Sequence, residues 1–298
     1  MREQLSSAAY RTGWTLSQRL PEPWVARAFD HGAERTWRGQ GRGVRQLRAN
    51  LRRAHPELDA EALDALTRAG LHSYLRYWRE AFRLPRWSAE EIDRRIVSSG
   101  EERLFGPLDH GTGVVAVLGH FGNWDHGGVW VTTRGYGLTT VAERLQPESL
   151  YDRFVAYRES LGMEVLPLSG GPEVTPVLQT RLRAGGLVAL LADRDLSGTG
   201  LEVEVLGEPA RLPVGPALLA ERTGSVLLPV ISSYEGARTR LDFLAPLTSE
   251  ATGLRDRVHD LTRQWAAVVE TAARRHAVDW HMLQPVWTAD VPQRERVR

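Results

Sequence analysis

Val114-Val115-Ala116-Val117-Leu118-Gly119-His120-Phe121-Gly122-Asn123-Trp124-Asp125-His126-Gly127-Gly128 is the stretch on which the reading of the fold turns. Its first five residues are aliphatic and lie between Gly113 and Gly119, the pattern of a strand buried on both faces in the middle of a parallel sheet. His120 then falls at the strand's carboxyl end. In open α/β sheets ligands and catalytic groups gather at that edge, where the turn into the next helix leaves a crevice lined with backbone N–H groups. An imidazole, with an unperturbed pKa of about 6.5, can take a proton from a hydroxyl and release it again near neutral pH. Asp125, five residues on, could orient that ring or hold a substrate group. Two other readings stay open at this point. One is a structural histidine hydrogen-bonded at a strand end; the other is a metal site drawn from His110, His120, Asp125 and His126, whose spacings match no ligand pattern.

Working outward, the chain alternates strands and helices. Residues 138–142 read as a strand, 147–161 as a helix, 165–168 as a strand, and 174–184 as a helix stopped by Gly185-Gly186. Residues 187–192 form another apolar strand that ends on Asp193, as the first ends on His120. Parallel neighbours would bring both ends to one edge of the sheet. Beyond it lie an alternating strand at 201–206, a helix at 215–223, strands at 226–232 and 239–244, and an amphipathic helix on Leu254, Val258, Leu261, Trp265, Val268 and Ala272. Gly111-x-Gly113 precedes a strand, so it is not a dinucleotide fingerprint. These patterns predict an α/β fold with a mixed, largely parallel central sheet flanked by helices.

The N-terminal part reads differently. Residues 59–83 make one long helix closed by Pro85, and Ser88 with Glu91 offers a capping box. Residues 1–55 carry 11 arginines against 4 acidic residues, with Trp14, Trp24 and Trp37 interspersed. Val44, Leu47 and Leu51 share a helix face and Arg45, Arg48 and Arg52 lie elsewhere, which suits either an anionic membrane surface or a helix packed on the core. The expectation is a helical membrane-proximal part at 1–100, an α/β catalytic core at 101–290 and a loose tail at 291–298, all within one domain.

The whole chain of 298 residues has a formal net charge of +1, 42% hydrophobic and 25% charged residues, and no cysteine. That composition argues against disorder, and the lack of cysteine excludes disulfides, thiolate metal sites and a cysteine nucleophile. No apolar window approaches the ~20 residues of a membrane span, and the first residues lack the apolar core of a signal peptide. Every cation other than histidine is arginine.

Several blocks resemble a known family. His120-Phe121-Gly122-Asn123-Trp124-Asp125 has the His-x4-Asp form found in glycerolipid and lipid A acyltransferases. Asp193-Arg194-Asp195, followed by Gly207-Glu208-Pro209-Ala210-Arg211-Leu212-Pro213, is similar to the second signature of the late lipid A acyltransferases. Trp78-Arg79-Glu80-Ala81-Phe82-Arg83-Leu84-Pro85, the run from 141–145 through 157–162, and Asp279-Trp280-His281-Met282-Leu283-Gln284-Pro285 resemble the actinobacterial phosphatidylinositol mannoside acyltransferases. The resemblance covers nearly the whole chain, in one order.

It implies transfer of a long, palmitoyl-like acyl chain from acyl-CoA to a mannose hydroxyl of a phosphatidylinositol mannoside, by a peripheral protein on the cytoplasmic side of the cell membrane. Neither a metal nor a cofactor is implied. His120 would be the base. The family carries glutamate where this chain has Asp193, one methylene or roughly 1.5 Å shorter, so the residues leave open whether Asp193 or Asp125 supports His120; Asp193 could otherwise cap a helix or pair with Arg194. Gly122, Asn123, Glu143, Arg144, Arg158, Arg194 and Asp195 are the expected substrate contacts, with Arg158 the candidate for a polar headgroup unless it merely pairs with Glu143. The backbone N–H groups of Phe121 to Asn123 are expected oxyanion donors. With no cysteine and no Gly-x-Ser-x-Gly turn, transfer should be direct, without an acyl-enzyme. A Kdo-lipid A type acyltransferase and a non-catalytic acyl-lipid-binding member are the alternatives.

Overall fold

The computed structural model describes residues 14, 17–143, 148–168, 173–196 and 198–291. Val114–Leu118 (β2) occupies the centre of a seven-stranded sheet of order β1-β9-β8-β2-β5-β3-β4. The strands are β1 (Ile96–Ser99), β3 (Leu138–Ala142), β4 (Met163–Pro167), β5 (Leu187–Leu191), β8 (Val226–Glu235) and β9 (Arg238–Phe243). From β8 to β4 every pairing is parallel; β9 turns back antiparallel to β8, and β1 runs parallel to β9. A separate antiparallel pair, β6 (Leu201–Val205) and β7 (Glu208–Leu212), buries Val203, Val205, Ala210 and Leu212 on one face.

Helices cover both faces of the sheet because consecutive residues of its central strands are apolar on both sides. Val115, Val117 and Val188 pack against α8 (Val174–Arg183), α9 (Gly215–Thr223) and α10 (Leu254–Arg275), through Leu182, Leu219 and Trp265 among others. Val114, Ala116, Leu138 and Leu187 face α3 (Ala60–Arg83), α6 (Trp124–Thr132) and α7 (Glu148–Ser160), through Tyr77, Val129, Trp130 and Tyr157. Of the predicted capping box at the start of α4 (Ala89–Arg94) the serine half is in place, Ser88 accepting from the Glu91 N–H at 3.2 Å, while the Glu91 carboxylate pairs with Arg94 and Arg95; Asp59 caps α3 by accepting from the Ala62 N–H at 2.8 Å.

Of the two readings left open for the stripe on Val44, Leu47 and Leu51, the N-terminal helices α1 (Glu22–Gly39) and α2 (Arg42–Ala54) realise the packed one. Val44, Leu47 and Leu51 are fully buried against Leu63 and Leu71 of α3 and against Ala277, so the apolar face of α2 does not lie on a membrane. Arg48 is held by Asp64 at 2.6 Å and Arg52 by the Leu58 carbonyl at 2.7 Å. An amphipathic stripe satisfies a lipid surface and a neighbouring helix equally well, so its pattern alone could not separate them. No helix among the described residues is long and apolar enough to cross a membrane.

Three elements escaped the sequence pattern for local reasons. β1 is four residues long and half serine, α5 (Glu102–Asp109) contains Pro107, and β7 contains Pro209. A proline argues against a strand interior, but β7 belongs to a two-stranded ribbon whose other edge meets only the C-terminal segment, through a bridge from Ala210 to Trp287 and a 3.0 Å bond that Thr288 donates to the Pro209 carbonyl.

Candidate active site

β2 and β5 pair with Leu118 opposite Leu191, and the ladder continues through a 2.8 Å bond from the Ala192 N–H to the Leu118 carbonyl. That register sets Asp193 beside His120. Asp193 Oδ1 accepts from His120 Nδ1 at 2.6 Å, while Oδ2 accepts from the His120 backbone N–H at 2.8 Å and from Trp280 Nε1 at 3.3 Å. Asp193 is fully buried. Burial opposes its ionisation, yet the charge of His120 and these hydrogen bonds hold the carboxyl below the usual carboxylate range. A ring that donates from Nδ1 keeps Nε2 as the basic nitrogen, and the side chain is 27% exposed in a groove. Gly119 makes the approach possible: a Cβ there would lie 2.7 Å from the Phe121 ring and 3.1 Å from Asp193 Oδ2.

The backbone N–H groups of the turn after His120 are already taken, one within the turn and two by distant partners, which overturns the expected oxyanion donors. Phe121 N–H donates to Gly119 O at 2.8 Å, Gly122 N–H to Asp279 O at 2.9 Å, and Asn123 N–H to Ser232 Oγ at 3.0 Å. Gly122 and Asn123 are also buried instead of facing substrate space. Gly122 has φ of +52° and packs where a Cβ would come within 2.7 Å of Ser232 Oγ, so its role is the turn. The Asn123 side chain caps α6 by accepting from the His126 N–H at 3.0 Å, and its amide donates to buried Glu80 at 2.9 Å.

Asp125 does not touch His120. Its carboxylate accepts from Arg158 Nε at 2.8 Å and from the Tyr77 hydroxyl at 2.8 Å, and it is 2% exposed. Burial disfavours the Arg158 charge, but Asp125 more than offsets this and raises the guanidinium's pKa. The alternative of a Glu143–Arg158 pair is therefore not realised; Glu143 instead meets Arg194 at 3.2 Å. Asp195 accepts from the Gly200 N–H at 2.7 Å. Arg144 lies outside the described residues. His110 and His126 are engaged separately, His110 with Gly106 O and His126 with Thr239 and Ile92, away from the His120–Asp193 pair.

Two spaces adjoin the pair. A groove of about 590 Å³ is lined by His120, Trp124, Glu143, Arg158, Arg194 and Asp195, with further apolar residues around it. A narrow slot with a cavity volume of about 80 Å³ runs between the sheet and α6, and nearly all its lining is apolar, including Leu118, Val131, Leu138, Leu187 and Leu241. Trp124, Val141, Arg158 and Leu191 line both, so the slot meets the groove beside Arg158.

The C-terminal segment supplies residues that were quoted only as part of a resembling block. Trp280, wholly buried, bonds Asp193 and bridges Phe121 in antiparallel fashion, and the His281 N–H donates to the His120 carbonyl at 2.7 Å. His281 lines the groove and its Nε2 lies 2.9 Å from Ser73 Oγ, whose hydroxyl donates to Asp279 at 2.7 Å. Burial, reinforced by the charge of His120, lowers the His281 pKa to about 3, so its ring is neutral. Nothing in local spacing ties residue 280 to residue 120.

A histidine–carboxylate pair at the carboxyl edge of an α/β sheet, between an apolar slot and a polar groove, defines the class through its fold and site. The chain belongs to the bacterial lipid A biosynthesis acyltransferase family, whose model matches residues 3–289. Its relatives include the phosphatidylinositol mannoside acyltransferase of Mycobacterium tuberculosis, 45% identical over 97% of this chain and 91% of the relative. The protein of the same name from Mycolicibacterium smegmatis is 42% identical over 99% of this chain and 95% of the relative.

Proposed function

We propose that this chain transfers a palmitoyl-like acyl group from acyl-CoA to a mannose hydroxyl of a phosphatidylinositol mannoside, by direct attack and without an acyl-enzyme. The observation that carries the reading is the His120–Asp193 pair, with its free ring nitrogen turned to the groove where the apolar slot begins. The acyl chain lies in the slot and the sugar headgroup in the groove. His120 Nε2 removes the acceptor's hydroxyl proton as the oxygen attacks the thioester carbonyl. Asp193 stabilises the imidazolium that forms. When the C–S bond breaks, the same proton passes to the departing thiolate, leaving an ester, free CoA and a neutral histidine.

Arg158 and Arg194 are permanent cations on the groove wall, suited to the phosphate groups that both substrates carry. Asp125 and Tyr77 hold Arg158 in place, so Asp125 acts as a positioning residue. The lipid acceptor requires contact with the cytoplasmic face of the membrane. Leu168, Leu191 and Leu196 on the groove wall are exposed by 48%, 36% and 45%, and Trp24 on α1 by 65%, which is apolar area available to a bilayer surface.

The test is incubation of the chain with palmitoyl-CoA and extracted phosphatidylinositol mannosides, read by mass spectrometry of lipids and of intact protein. Acylated lipid, free CoA and an unmodified protein are expected, with no product from His120→Ala. A protein adduct formed from acyl-CoA alone and discharged by the acceptor would overturn direct transfer.

A further inference from the structure

The C-terminal segment lies across the turn that carries His120. Gly122 N–H donates to the Asp279 carbonyl at 2.9 Å, and His281 N–H donates to the His120 carbonyl at 2.7 Å, so the backbone of residue 280 is fixed from both sides. The Trp280 ring is wholly buried, stacked on Phe121 with centroids 5.9 Å apart and met edge-on by Trp287 at 6.2 Å. Thus held, its Nε1–H points to Asp193 Oδ2 at 3.3 Å.

Asp193 accepts three hydrogen bonds, and two of them come from His120 itself. Among the described residues Trp280 supplies the one that does not belong to the histidine. A second indole makes the contrast. Trp265 of α10 donates to the carbonyl of Ala192, one residue earlier, at 2.9 Å. That acceptor is neutral, so the bond fixes the strand end; the acceptor of Trp280 is a carboxylate, where a hydrogen bond also stabilises charge and is roughly twice as strong. In a fully buried site, each donor removed from a carboxylate raises its affinity for a proton. A more basic Asp193 would hold the Nδ1 proton of His120 more tightly and favour the imidazolium. A ring already protonated on Nε2 cannot take the acceptor's proton.

We propose that Trp280 is a positioning residue that tunes the pair: its indole N–H holds the Asp193 charge, and thereby keeps His120 a free base to a lower pH than the pair alone would allow. This rests on the reading of His120 as the general base. The other charged and titratable groups around the ring are Arg158 from α7, Glu143 from the end of β3, Arg194 and Asp195 beyond β5, His281, and the tyrosines of α3 and α7. They line the groove, whereas Trp280 is buried and no part of that wall, so a change at residue 280 leaves them in place.

The experiment follows kcat/KM from about pH 5 to about pH 9 with palmitoyl-CoA and extracted phosphatidylinositol mannosides. It compares the parent with Trp280→Phe, Trp265→Phe and a protein in which Trp280 is replaced by 3-benzothienylalanine, which keeps the indole's shape with sulfur in place of N–H. Each is checked for a cooperative melt across that range. Both changes at residue 280 should move the acid limb up by about one pH unit, leaving the rate about fivefold below the parent's at the parent's own midpoint and within about threefold on the plateau. Trp265→Phe, which loses an indole bond to a neutral acceptor, should not move the limb. In the parent, the Trp280 indole N–H resonance should titrate with the midpoint of the limb and lose that titration in His120→Ala; this measurement stands even if neither change at residue 280 folds. A limb that stays in place while the rate falls equally at every pH, a limb that moves down, an equal shift in Trp265→Phe, or a fixed indole resonance overturns the tuning and leaves the base intact. A parent whose rate does not fall on the acid side overturns the base, and the tuning with it.

Discussion

Asp125 and Asp193 are both buried carboxylates close in the fold to the same histidine, yet they sit in different electrostatic settings. Asp193, on the end of β5, meets a side chain that can gain and lose a proton; Asp125, on the first turn of α6, meets Arg158, whose charge is permanent. The carboxylate five residues from His120 is thus the one that does not touch it, and the one 73 residues away does. A helix that starts after the turn carries Asp125 off toward α3 and α7, while a parallel strand returns Asp193 to the same edge. Proximity along the chain and proximity at the reacting nitrogen are separate quantities.

The sharpest way to break this contrast is at the histidine. His120→Ala should lower kcat by about 10²–10⁴-fold, the usual worth of a general base. It should still melt cooperatively, at a temperature lowered by the loss of the ring that pairs with fully buried Asp193. A folded variant with parental turnover would remove His120 from the chemistry.

Next come the acids. Asp193→Asn should reduce kcat by on the order of 10³-fold with little change in acceptor KM, since it releases the ring's tautomer and leaves the groove intact. Asp125→Asn should act mainly on stability and acceptor KM: it leaves a buried guanidinium without its counter-charge, a loss of about 3–5 kcal/mol. Urea melts and steady-state kinetics on both variants separate the roles, and equal kcat losses in the two would erase the distinction. Asp193→Glu, which adds a methylene against Gly119 and Trp280, should cost about 1–3 kcal/mol by overpacking. A variant as stable as the parent would mean the β2–β5 edge adapts freely.

The smallest effect extends the comparison to the histidine beside Asp125. Burial lowers the His126 pKa to about 4, well under the roughly 6.5 of an unfolded chain. The native state therefore binds fewer protons than the unfolded state between those values, and stability falls as pH drops below ~6.5, by up to about 1.4 kcal/mol per pH unit for this one group. His126→Gln should be less stable at pH 8 and lose less on acidification to pH 5. Parallel stability–pH curves for parent and variant would show that His126 is not held neutral.

Much of the architecture was legible in residue order. The aliphatic runs at 114–118 and 187–191 follow glycines and read as buried strands of a parallel sheet, whose carboxyl ends would fall on one edge with His120 and Asp193. The Ser88 cap was equally local, because a cap depends on side chains within three residues of the backbone they serve. Three kinds of fact were not. Which acid meets His120 depends on strand register and on where α6 points. Whether the Phe121–Asn123 amides are free depends on Asp279 and Ser232, which arrive from other strands and segments. Whether the α2 stripe meets lipid or protein depends on α3. The sequence by itself determined the strands, the caps and the chemistry available at the sheet edge, because these follow from periodicity and residue type over a few positions. Only the tertiary structure decided which buried groups are already satisfied by distant partners, and that a narrow apolar slot stays open between the sheet and α6.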